Sequence, residues 1–313
     1  AQTVAPGEIL VVDNGSTDGS AGTARAAGAE VIQLGGNRGF SVAVNRGVAA
    51  CRGEGIVVLN NDVELEPEWT AKLSGALEAS GGWFAIGKLL DYAQRDRIDG
   101  VGDAICRGGT ACRLGHGRAD GEVFRRGRTT FFPSATAVLA RREFFARAGP
   151  LEEAFFAYLE DVDLGVRAAL LGLEGIYVPE AVAYHRGSAT LGRWSPQMVE
   201  WMTRNQILLL AKYFPGPLLW RWWRAVLAAQ LLWGALAVRR GRPLAWVRGL
   251  SAGLWRARAM RASSAAWRGP GTRLARVLAD SERELVSFEE AAGWDDYWKW
   301  YFRLAPPGRE TQP

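Results

Sequence analysis

Hydrophobic and polar positions divide the first half of the chain into short apolar runs separated by helix-like stretches. The apolar runs are compact and end in turn residues, which is typical of strands. We predict strands at 8–12, 30–34, 55–59 and 83–87, with helices between them at about 17–27, 40–51 and 67–79. This alternation predicts an α/β doubly wound sheet, in which the first strand is buried on both faces.

Residues 91–130 interrupt the alternation. They are rich in Gly and Arg and show no clear periodicity, so we expect a long excursion with short strands. The pattern then resumes with a strand at 131–140, helices at 141–148 and 161–171, and a strand at 175–178.

The chain changes character near residue 195. Residues 1–195 carry 20 basic and 24 acidic groups, whereas residues 196–280 carry 14 basic and 2 acidic groups. Eleven of the 14 Trp residues also lie after residue 195. The sequence Trp194-Ser195-Pro196 has the pattern of a helix start, with Ser as the cap and Pro in the first turn. We therefore divide the chain into a front domain, 1–195, and a basic region, 196–313.

The basic region is predicted to be helical. Its longest charge-free stretch, Ala225–Val238, has 14 residues, which is too short to span a bilayer. Trp and Leu interrupted by Arg221 and Arg224 suit a helix that lies in the membrane interface. The alternative is that these helices pack on the front domain and turn their Arg side chains to water. No nucleic-acid-binding fold is recognised, so nucleic acid is not expected as a partner.

Two predicted strands lead into an acid. Asp13 follows the run Glu8–Val12, and Asp62 follows Gly55–Leu59 after two Asn residues. Ligands of open α/β sheets bind beyond the carboxyl ends of the strands, so we expect both carboxylates to face one crevice. There a carboxylate accepts hydrogen bonds from a base or a sugar, or holds a hard cation such as Mg²⁺ or Mn²⁺. The alternative for each residue is a turn or a helix cap.

A second pair of acids, Glu160 and Asp161, opens a predicted helix after the aromatic run Phe155–Leu159. Burial or a neighbouring carboxylate brings the pKa of a general base towards the operating pH, and this segment offers both. The alternative is that the acids only complement the helix dipole.

The remaining candidates are less specific. His185 stands at a strand-to-loop transition, which suits a metal ligand or a phosphate contact as well as a structural histidine. The run Gly35–Phe40 is rich in Gly but does not fit G-x-G-x-x-G. The chain has no Walker motif, nucleophile elbow or H-E-x-x-H, and its three Cys residues exclude a four-cysteine zinc site.

Taken in order, these segments resemble family 2 glycosyltransferases, which have the GT-A fold, a Rossmann-like fold of nucleotide-diphospho-sugar transferases. Within the family, the chain resembles the bacterial rhamnosyltransferase-like subgroup. The resemblance covers residues 1–195. It rests on Val11–Ser20 for the second-strand motif, Asn37–Phe40 with Asn45 and Gly47, Leu59–Asp62 at the metal motif, Phe155–Leu164 for the catalytic E-D segment, and Val178–His185.

The resemblance implies a nucleotide-diphosphate-sugar donor, a divalent cation (Mg²⁺ or Mn²⁺) and an inverting transfer. Asp161 would deprotonate the acceptor hydroxyl with the support of Glu160. Asp62 would hold the cation, and His185 would hold the cation or the diphosphate. The nucleotide-sugar would be bound by Asp13, Asn14, Asn37, Gly39, Asn45 and Asn61.

Two features depart from the family pattern. The metal motif reads Asn60-Asn61-Asp62 and so keeps a single acid, and the family's first strand and first helix should precede Glu8. We therefore expect residues 1–195 to be a GT-A catalytic domain without its first strand and helix. We also expect this chain to bind donor more weakly than a longer one.

The predicted function is transfer of a sugar, rhamnose in this subgroup, to a hydroxyl of a saccharide or lipid-linked acceptor in cell-envelope polysaccharide synthesis. Together with the interfacial helices, this predicts a cytoplasmic enzyme bound peripherally to the inner face of the cell membrane. One alternative is a catalytically degenerate scaffold that binds a membrane or a partner. Another is a nucleotidyltransferase, which would release pyrophosphate.

Overall fold

The computed structural model describes residues 1–187, 192, 194–269 and 271–307. These residues form two compact units. The first unit contains residues 1–90 and 126–185, and the second contains residues 91–125 together with the chain from 186 onward. Residues 91–125, which the sequence places in the front domain, thus belong to the second unit. The boundary at residue 195 stays a prediction.

The strands are numbered in chain order. They are β1 Leu10–Asp13, β2 Glu30–Gln33, β3 Gly55–Leu59, β4 Val63–Leu65, β5 Phe84–Asp91, β6 Ile98–Gly100, β7 Asp103–Ile105, β8 Ala111–Arg113, β9 Arg128–Thr130, β10 Ala137–Arg141 and β11 Gly175–His185.

The α-helices are numbered in the same way. They are α1 Ser20–Ala26, α2 Phe40–Ala50, α3 Trp69–Ser80, α4 Arg142–Ala148, α5 Glu160–Leu171, α6 Pro196–Tyr213, α7 Gly216–Arg221, α8 Trp223–Arg239, α9 Pro243–Ser263, α10 Gly271–Ala292 and α11 Asp296–Leu304.

Two sheets build the first unit. Strands β1 and β2 are parallel, with Leu10 opposite Glu30 and Asp13 opposite Gln33. The larger sheet has the order β3-β10-β5-β11-β4, and β9 also pairs with β11. Strand β10 runs antiparallel to β3 and β5, and β11 runs antiparallel to β4 and β9. The mixed α/β architecture and its helical C-terminal part confirm the predicted fold class.

The core of the first unit lies between α3 and the larger sheet. Trp69, Leu73 and Leu77 follow one another at four-residue spacing, so they lie on one face of α3. That face packs on β5, β10 and β11, and the shared cluster is buried. Each large side chain buried in this way contributes about 1.5–3 kcal/mol to folding.

The local predictions hold for most elements, with four main differences. The strand predicted at 131–140 begins only at Ala137. Residues Leu10–Val12 of β1 are half-buried rather than buried on both faces. Strand β4 was missed, because three residues in an acidic stretch show no periodicity. Strand β11 continues past Pro179, where the prediction stopped. Pro179 falls between the segments of β11 that pair with β9 and with β4, where its missing N–H costs no hydrogen bond to either strand.

The second unit is mainly helical, as predicted. Ser195 caps α6 by accepting a hydrogen bond from the Met198 N–H, and Pro196 is the first residue of that helix. Helix α9 packs closely on α6, and Gly249 permits the approach because a Cβ there would lie 2.5 Å from the Glu200 carbonyl oxygen. No helix in the described part of the chain has the length and apolar character needed to cross a bilayer.

Polar groups cross the interior of the second unit. Arg107 forms an ion pair with Glu282 at 2.7 Å, and both side chains are buried. Trp233 donates its indole N–H to Thr203, and Gln230 donates to Gln206. These bonds fix the β7–β8 hairpin on α10 and α8 on α6.

Candidate active site

The loops that follow β1 and β2 are joined by side-chain amides. Asn14 donates to the Asn37 side chain and to the Gly39 carbonyl, each at 3.2 Å. The Asn14 side-chain oxygen accepts from the Arg38 N–H at 2.7 Å, and the Asn37 oxygen accepts from the Gly39 N–H. The predicted residues Asn14, Asn37 and Gly39 therefore lie together.

Asp13 begins this group. Its carboxylate is buried and accepts from the Ser16 N–H at 3.0 Å and from Gln33 at 3.4 Å. The hydrogen bonds from Ser16 lower the pKa of Asp13, so the acceptor form is favoured. The two loops also touch through their backbones, since a Cβ on Gly15 would lie 2.8 Å from Gly36.

Asp62 and His185 form a second group. Asp62 lies in the turn between β3 and β4, and His185 ends β11 opposite Val63 of β4. This register brings Nε2 of His185 to 3.3 Å from Oδ1 of Asp62. His185 is buried, whereas the neighbouring Asn61 is exposed. A carboxylate and an imidazole 123 residues apart in sequence are thus presented together by two paired strands.

The acids of the E-D segment occupy the first turn of α5. Glu160 is buried and Asp161 is half-buried, with the Val162 N–H donating to Oδ1 of Asp161 at 2.9 Å. Asp163 has a different role, because its buried carboxylate pairs with Arg167 one turn later at 2.9 Å. Arg167 also donates to the Ala148 carbonyl. Asp163 therefore orients Arg167, which joins α5 to the end of α4, and this leaves Glu160 and Asp161 as the chemical candidates.

The loop before these acids has an unusual backbone. Phe156, Tyr158 and Leu159 have φ values of 65°, 71° and 66°, a region that non-glycine residues rarely adopt. The Phe156 carbonyl accepts from the Phe40 N–H at 2.6 Å and from the Ser41 N–H at 3.3 Å. Sequence reasoning missed Phe156, since an aromatic residue gives no signal for a left-handed backbone. Burial and the nearby Glu160 carboxylate raise the pKa of Tyr158.

Asn45 lies on α2, one turn after its start. Its amide donates to the Leu151 carbonyl at 2.9 Å and to Glu153, and its oxygen accepts from the Leu151 N–H. In this structure Asn45 therefore ties α2 to the segment that leads to Phe156. Its contact with a nucleotide-sugar stays a prediction.

The predicted residues thus form groups within the first unit. Asp13, Asn14, Asn37 and Gly39 share one hydrogen-bonded pair of loops, and Gly39 contacts Phe156, four residues before Glu160. Asp62 and His185 form the other group. Among residues 1–187, 192, 194–269 and 271–307, no three His, Cys, Asp or Glu side chains are grouped to hold a metal ion.

Family models cover most of the chain. Residues 1–149 match the model of glycosyl transferase family 2, and residues 99–267 match that of glycosyl transferase family group 2. The second match alone spans more than half of the chain. The protein therefore belongs to glycosyl transferase family group 2 and is a glycosyltransferase, as the motifs predicted.

Relatives and a solved structure agree with this assignment. A Mycobacterium tuberculosis protein named N-acetylglucosaminyl-diphospho-decaprenol L-rhamnosyltransferase is 29% identical over an alignment of 265 residues, and the match covers 76% of this chain and 83% of the relative. The uncharacterized protein y4gI of Sinorhizobium fredii is 30% identical over an alignment of 201 residues, and the match covers 59% of this chain and 22% of that protein.

The fold is that of a GT-A enzyme. The crystal structure of GalNAc-T7 with UDP, GalNAc and Mn²⁺ matches with a TM-score of 0.53 at 12% identity, over 95% of this chain. The chain spans half the length of that structure. At this identity the likeness concerns the fold alone.

Proposed function

We propose that the protein transfers a sugar, with inversion, from a nucleotide-diphosphate donor to a hydroxyl of a lipid-linked saccharide in cell-envelope polysaccharide synthesis. The observation that carries the proposal is the junction at Gly39, where the loops of Asn14 and Asn37 meet the segment that ends in Glu160 and Asp161. Donor-binding loops and a pair of acids in one unit are what a displacement at a sugar carbon needs. Retention of these residues disfavours the degenerate scaffold.

The donor would be bound by the two hydrogen-bonded loops. Asp13 offers an ionised acceptor to a base N–H or a sugar hydroxyl, and the amides of Asn14 and Asn37 fix the backbone around it. Asn61 is exposed and precedes Asp62 in sequence, so its amide would contact the donor from the Asp62 group. Rhamnose is our choice of sugar because the M. tuberculosis relative is named as a rhamnosyltransferase.

Asp161 would act as the general base. The acceptor hydroxyl gives its proton to the Asp161 carboxylate while its oxygen forms a bond to the anomeric carbon. The bond from that carbon to the donor diphosphate breaks in the same step, so the configuration inverts. The buried Glu160 beside Asp161 would hold the base in place. Positioned bases of this kind contribute about 10²–10⁴-fold to a rate.

A divalent cation fits the second group of residues. Mg²⁺ and Mn²⁺ sites often use one or two protein ligands and complete the shell with substrate phosphates, and Asp62 with His185 supplies such a pair. When bound, the cation would neutralise charge on the departing diphosphate. The role of Asp62 and His185 would be to hold it there and to orient the diphosphate.

The test of the base uses the Asp161→Asn variant of the full-length protein. The assay follows transfer to N-acetylglucosamine carried on a polyprenyl diphosphate, from a panel of nucleotide-sugars that includes rhamnose donors. We expect transfer to fall about 10²–10⁴-fold while calorimetric binding of donor is retained. Glu143→Gln, which changes an exposed acid paired with Arg147, is the matched control and should keep full activity. Full transfer by the Asp161→Asn variant would refute the assigned base.

The cation is tested in the same assay. Chelation with EDTA should stop transfer, and Mn²⁺ or Mg²⁺ should restore it. Asp62→Asn should need a higher Mn²⁺ concentration for half-maximal rate. A rate that EDTA leaves unchanged would remove the cation from the proposal. Release of pyrophosphate, rather than of a nucleoside diphosphate, would identify a nucleotidyltransferase instead.

The lipid-linked acceptor places the enzyme at a membrane surface, and the second unit has the side chains for it. Trp220 is 81% exposed and Trp255 is 80% exposed. Large apolar side chains are exposed along α7, α8 and α9: Trp220, Trp223, Leu227, Leu231, Val238, Leu244, Val247, Leu254 and Trp255. The buried side of α8 is apolar apart from Gln230, so its exposed Leu residues are additional to the side chains that fold the unit.

The positive charge of this exposed surface favours a bilayer with anionic lipids as its binding partner. Arg221, Arg224 and Arg248 are exposed among these apolar side chains, and residues 196–280 hold 14 basic against 2 acidic groups. Indole rings prefer the level of the headgroups, and Arg pairs with lipid phosphate there. We infer a peripheral association with the inner face of the cell membrane, which matches a polyprenyl-linked acceptor such as the one in the relative's name.

Vesicle sedimentation tests this association. The protein should sediment with vesicles of phosphatidylglycerol and phosphatidylcholine, and less with phosphatidylcholine alone or at high salt. Trp220→Ser combined with Trp255→Ser should abolish sedimentation. Trp300→Ser, an exposed Trp on α11, is the matched control and should leave it unchanged. Equal sedimentation of the double variant would refute the proposed surface, and binding to duplex RNA instead would assign the charge to nucleic acid.

A further inference from the structure

The strained loop before Glu160 is held by helix α2. Positive φ at Phe156, Tyr158 and Leu159 persists only where the surroundings determine it. The first N–H groups of a helix have no partner within the helix. In α2 two of them, from Phe40 and Ser41, donate to the Phe156 carbonyl. The start of α2 therefore fixes the turn that leads into the acids.

Asn45 holds the same segment at a second point. Its side chain exchanges two hydrogen bonds with the backbone of Leu151, five residues before Phe156. Residues four apart on a helix lie on one face, so Ser41 and Asn45 point to the same side of α2. Because α2 is hydrogen-bonded to this segment at both Leu151 and Phe156, we expect the segment to move together with the helix.

Gly39 lies between the donor loops and the start of α2, the helix that holds the Phe156 segment. Its N–H donates to Asn37 and its carbonyl accepts from Asn14. Its φ is 94°, and a Cβ on it would lie 2.7 Å from the Phe156 ring and 2.8 Å from the Phe156 carbonyl oxygen. Only glycine fits this contact. Gly39 thus joins both donor loops to Phe156 without any intervening side chain.

We propose that the Gly39–Phe156 contact is a positioning device that couples the donor loops to the acids Glu160 and Asp161. When a nucleoside diphosphate binds to the loops, the motion of Gly39 and of the start of α2 is reduced. Through the contact with Phe156, the motion of the first turn of α5 is reduced as well. Gly39 and Phe156 are positioning residues that act through Asp161. This inference rests on the proposed function, since it assumes the donor loops and the base.

The kinetic test uses Phe156→Gly, which removes the ring and suits the positive φ. We expect kcat to fall about 10²-fold, the effect of misplacing a catalytic group by about 1 Å, while the donor KM changes less than about twofold. The pH profile of kcat should also shift, because the base sits in altered surroundings. Gly39→Ala should lower kcat in a similar way, and the double variant should lose less than the product of the two effects.

Gly28→Ala is the matched control. Gly28 lies between α1 and β2, outside the donor loops, and also has positive φ (89°), but a Cβ on it would meet no atom within 4 Å. It should therefore keep kcat, since it carries the cost of the backbone conformation without the clash with Phe156. An unchanged kcat in Phe156→Gly would overturn the proposal. So would a parallel loss of kcat and melting temperature, or an equal loss of kcat in Gly28→Ala and Gly39→Ala.

A second measurement does not depend on turnover. UDP, GDP and dTDP are compared by calorimetry, and the one that binds most tightly is used in amide hydrogen exchange. We expect it to slow exchange across 156–163 in the wild type and not in Phe156→Gly. Equal slowing in both proteins would overturn the coupling while the proposed function stands. Full transfer by Asp161→Asn would overturn the assigned base and the positioning role that acts through it, and absence of binding by all three diphosphates would overturn the donor loops as well.

Discussion

The two units distribute polar and apolar groups in opposite ways. The first unit buries an apolar cluster around Trp69 and carries its amides and carboxylates on loops at strand ends. The second unit buries Arg107, Glu282 and Gln206, and it leaves Trp220 and Trp255 in contact with solvent. The first arrangement suits a polar ligand taken from water. The second suits an environment that is itself partly apolar and negatively charged.

The difference also separates the side chains that stabilise the fold from those that would contact ligands. In the first unit the amides of Asn14 and Asn37 lie outside the apolar cluster, so we expect that they can be replaced without unfolding the chain. In the second unit the buried polar groups hold elements together, and the exposed apolar groups are the replaceable ones. Five substitutions test this contrast, and they are discussed from the largest expected effect to the smallest.

Arg107→Leu should have the largest effect on stability. It leaves the Glu282 carboxylate buried without its cation, and such losses cost about 3–5 kcal/mol. Burial already raises the pKa of Glu282 against the lowering effect of Arg107. A carboxyl group with a raised folded pKa contributes stability at low pH that is lost as pH rises. Urea unfolding of the variant should therefore show a larger penalty at pH 8 than at pH 5, and an equal penalty at both would contradict this.

Gly249→Ala should destabilise the second unit by about 1–3 kcal/mol. The added Cβ would lie 2.5 Å from the Glu200 carbonyl oxygen on α6, which overpacks the contact of the two helices. Gly22→Ala in α1 is the opposite case, because nothing lies within 4 Å of its Cβ. It should stabilise by about 0.5–1 kcal/mol. Thermal unfolding of both variants is the measurement, and a change in melting temperature of the same sign in both would contradict this prediction.

Asn14→Ala should cost only about 1 kcal/mol of stability, because the bonds to Asn37 and Gly39 are partly exposed. Its effect on donor binding should be greater, since it separates the two donor loops. Calorimetry with the donor nucleotide should show affinity reduced about tenfold or more, which corresponds to 1.4 kcal/mol. Unchanged affinity with reduced stability would make Asn14 a purely structural residue.

Trp220→Ser should change stability least, by about 0.5 kcal/mol or less, because the ring is almost fully exposed. Partition of the variant to anionic vesicles should nevertheless weaken. A large drop in melting temperature would show that the ring packs in the folded protein, and the exposed apolar surface would then need another explanation.

Much of the secondary structure in both units could be predicted from sequence. The strands Leu10–Asp13 and Gly55–Leu59 are compact apolar runs that end in turns, and helix α6 begins at the predicted cap, Ser195. The motifs identified the family because they depend on residue type and order, which can be read from a sequence without knowing any contact. The pairing of β11 with β4, which brings His185 to Asp62, has no local signal, since register between distant strands is set by tertiary packing.

The least predictable part of the first unit is the backbone conformation of residues 156–159, which precede Glu160 and Asp161. Nothing in Phe156-Ala157-Tyr158-Leu159 marks positive φ, because Gly and Asn are the usual signals and neither is present. The conformation is imposed by the hydrogen bonds from α2, more than a hundred residues earlier. The role of Asn45 was likewise unreadable, because its partner Leu151 is 106 residues away. The sequence-based roles of the site residues stay predictions until the variants above are measured.

The ion pair between Arg107 and Glu282 also bears on how the chain is made. Its partners are 175 residues apart, so a ribosome adding about 5–20 residues per second delivers Glu282 about 9–35 s after Arg107. Throughout that interval the β7–β8 hairpin has left the tunnel without α10. Until α10 emerges, Arg107 lacks the carboxylate with which it is buried, so the hairpin reaches its final packing only after the last helices have been made.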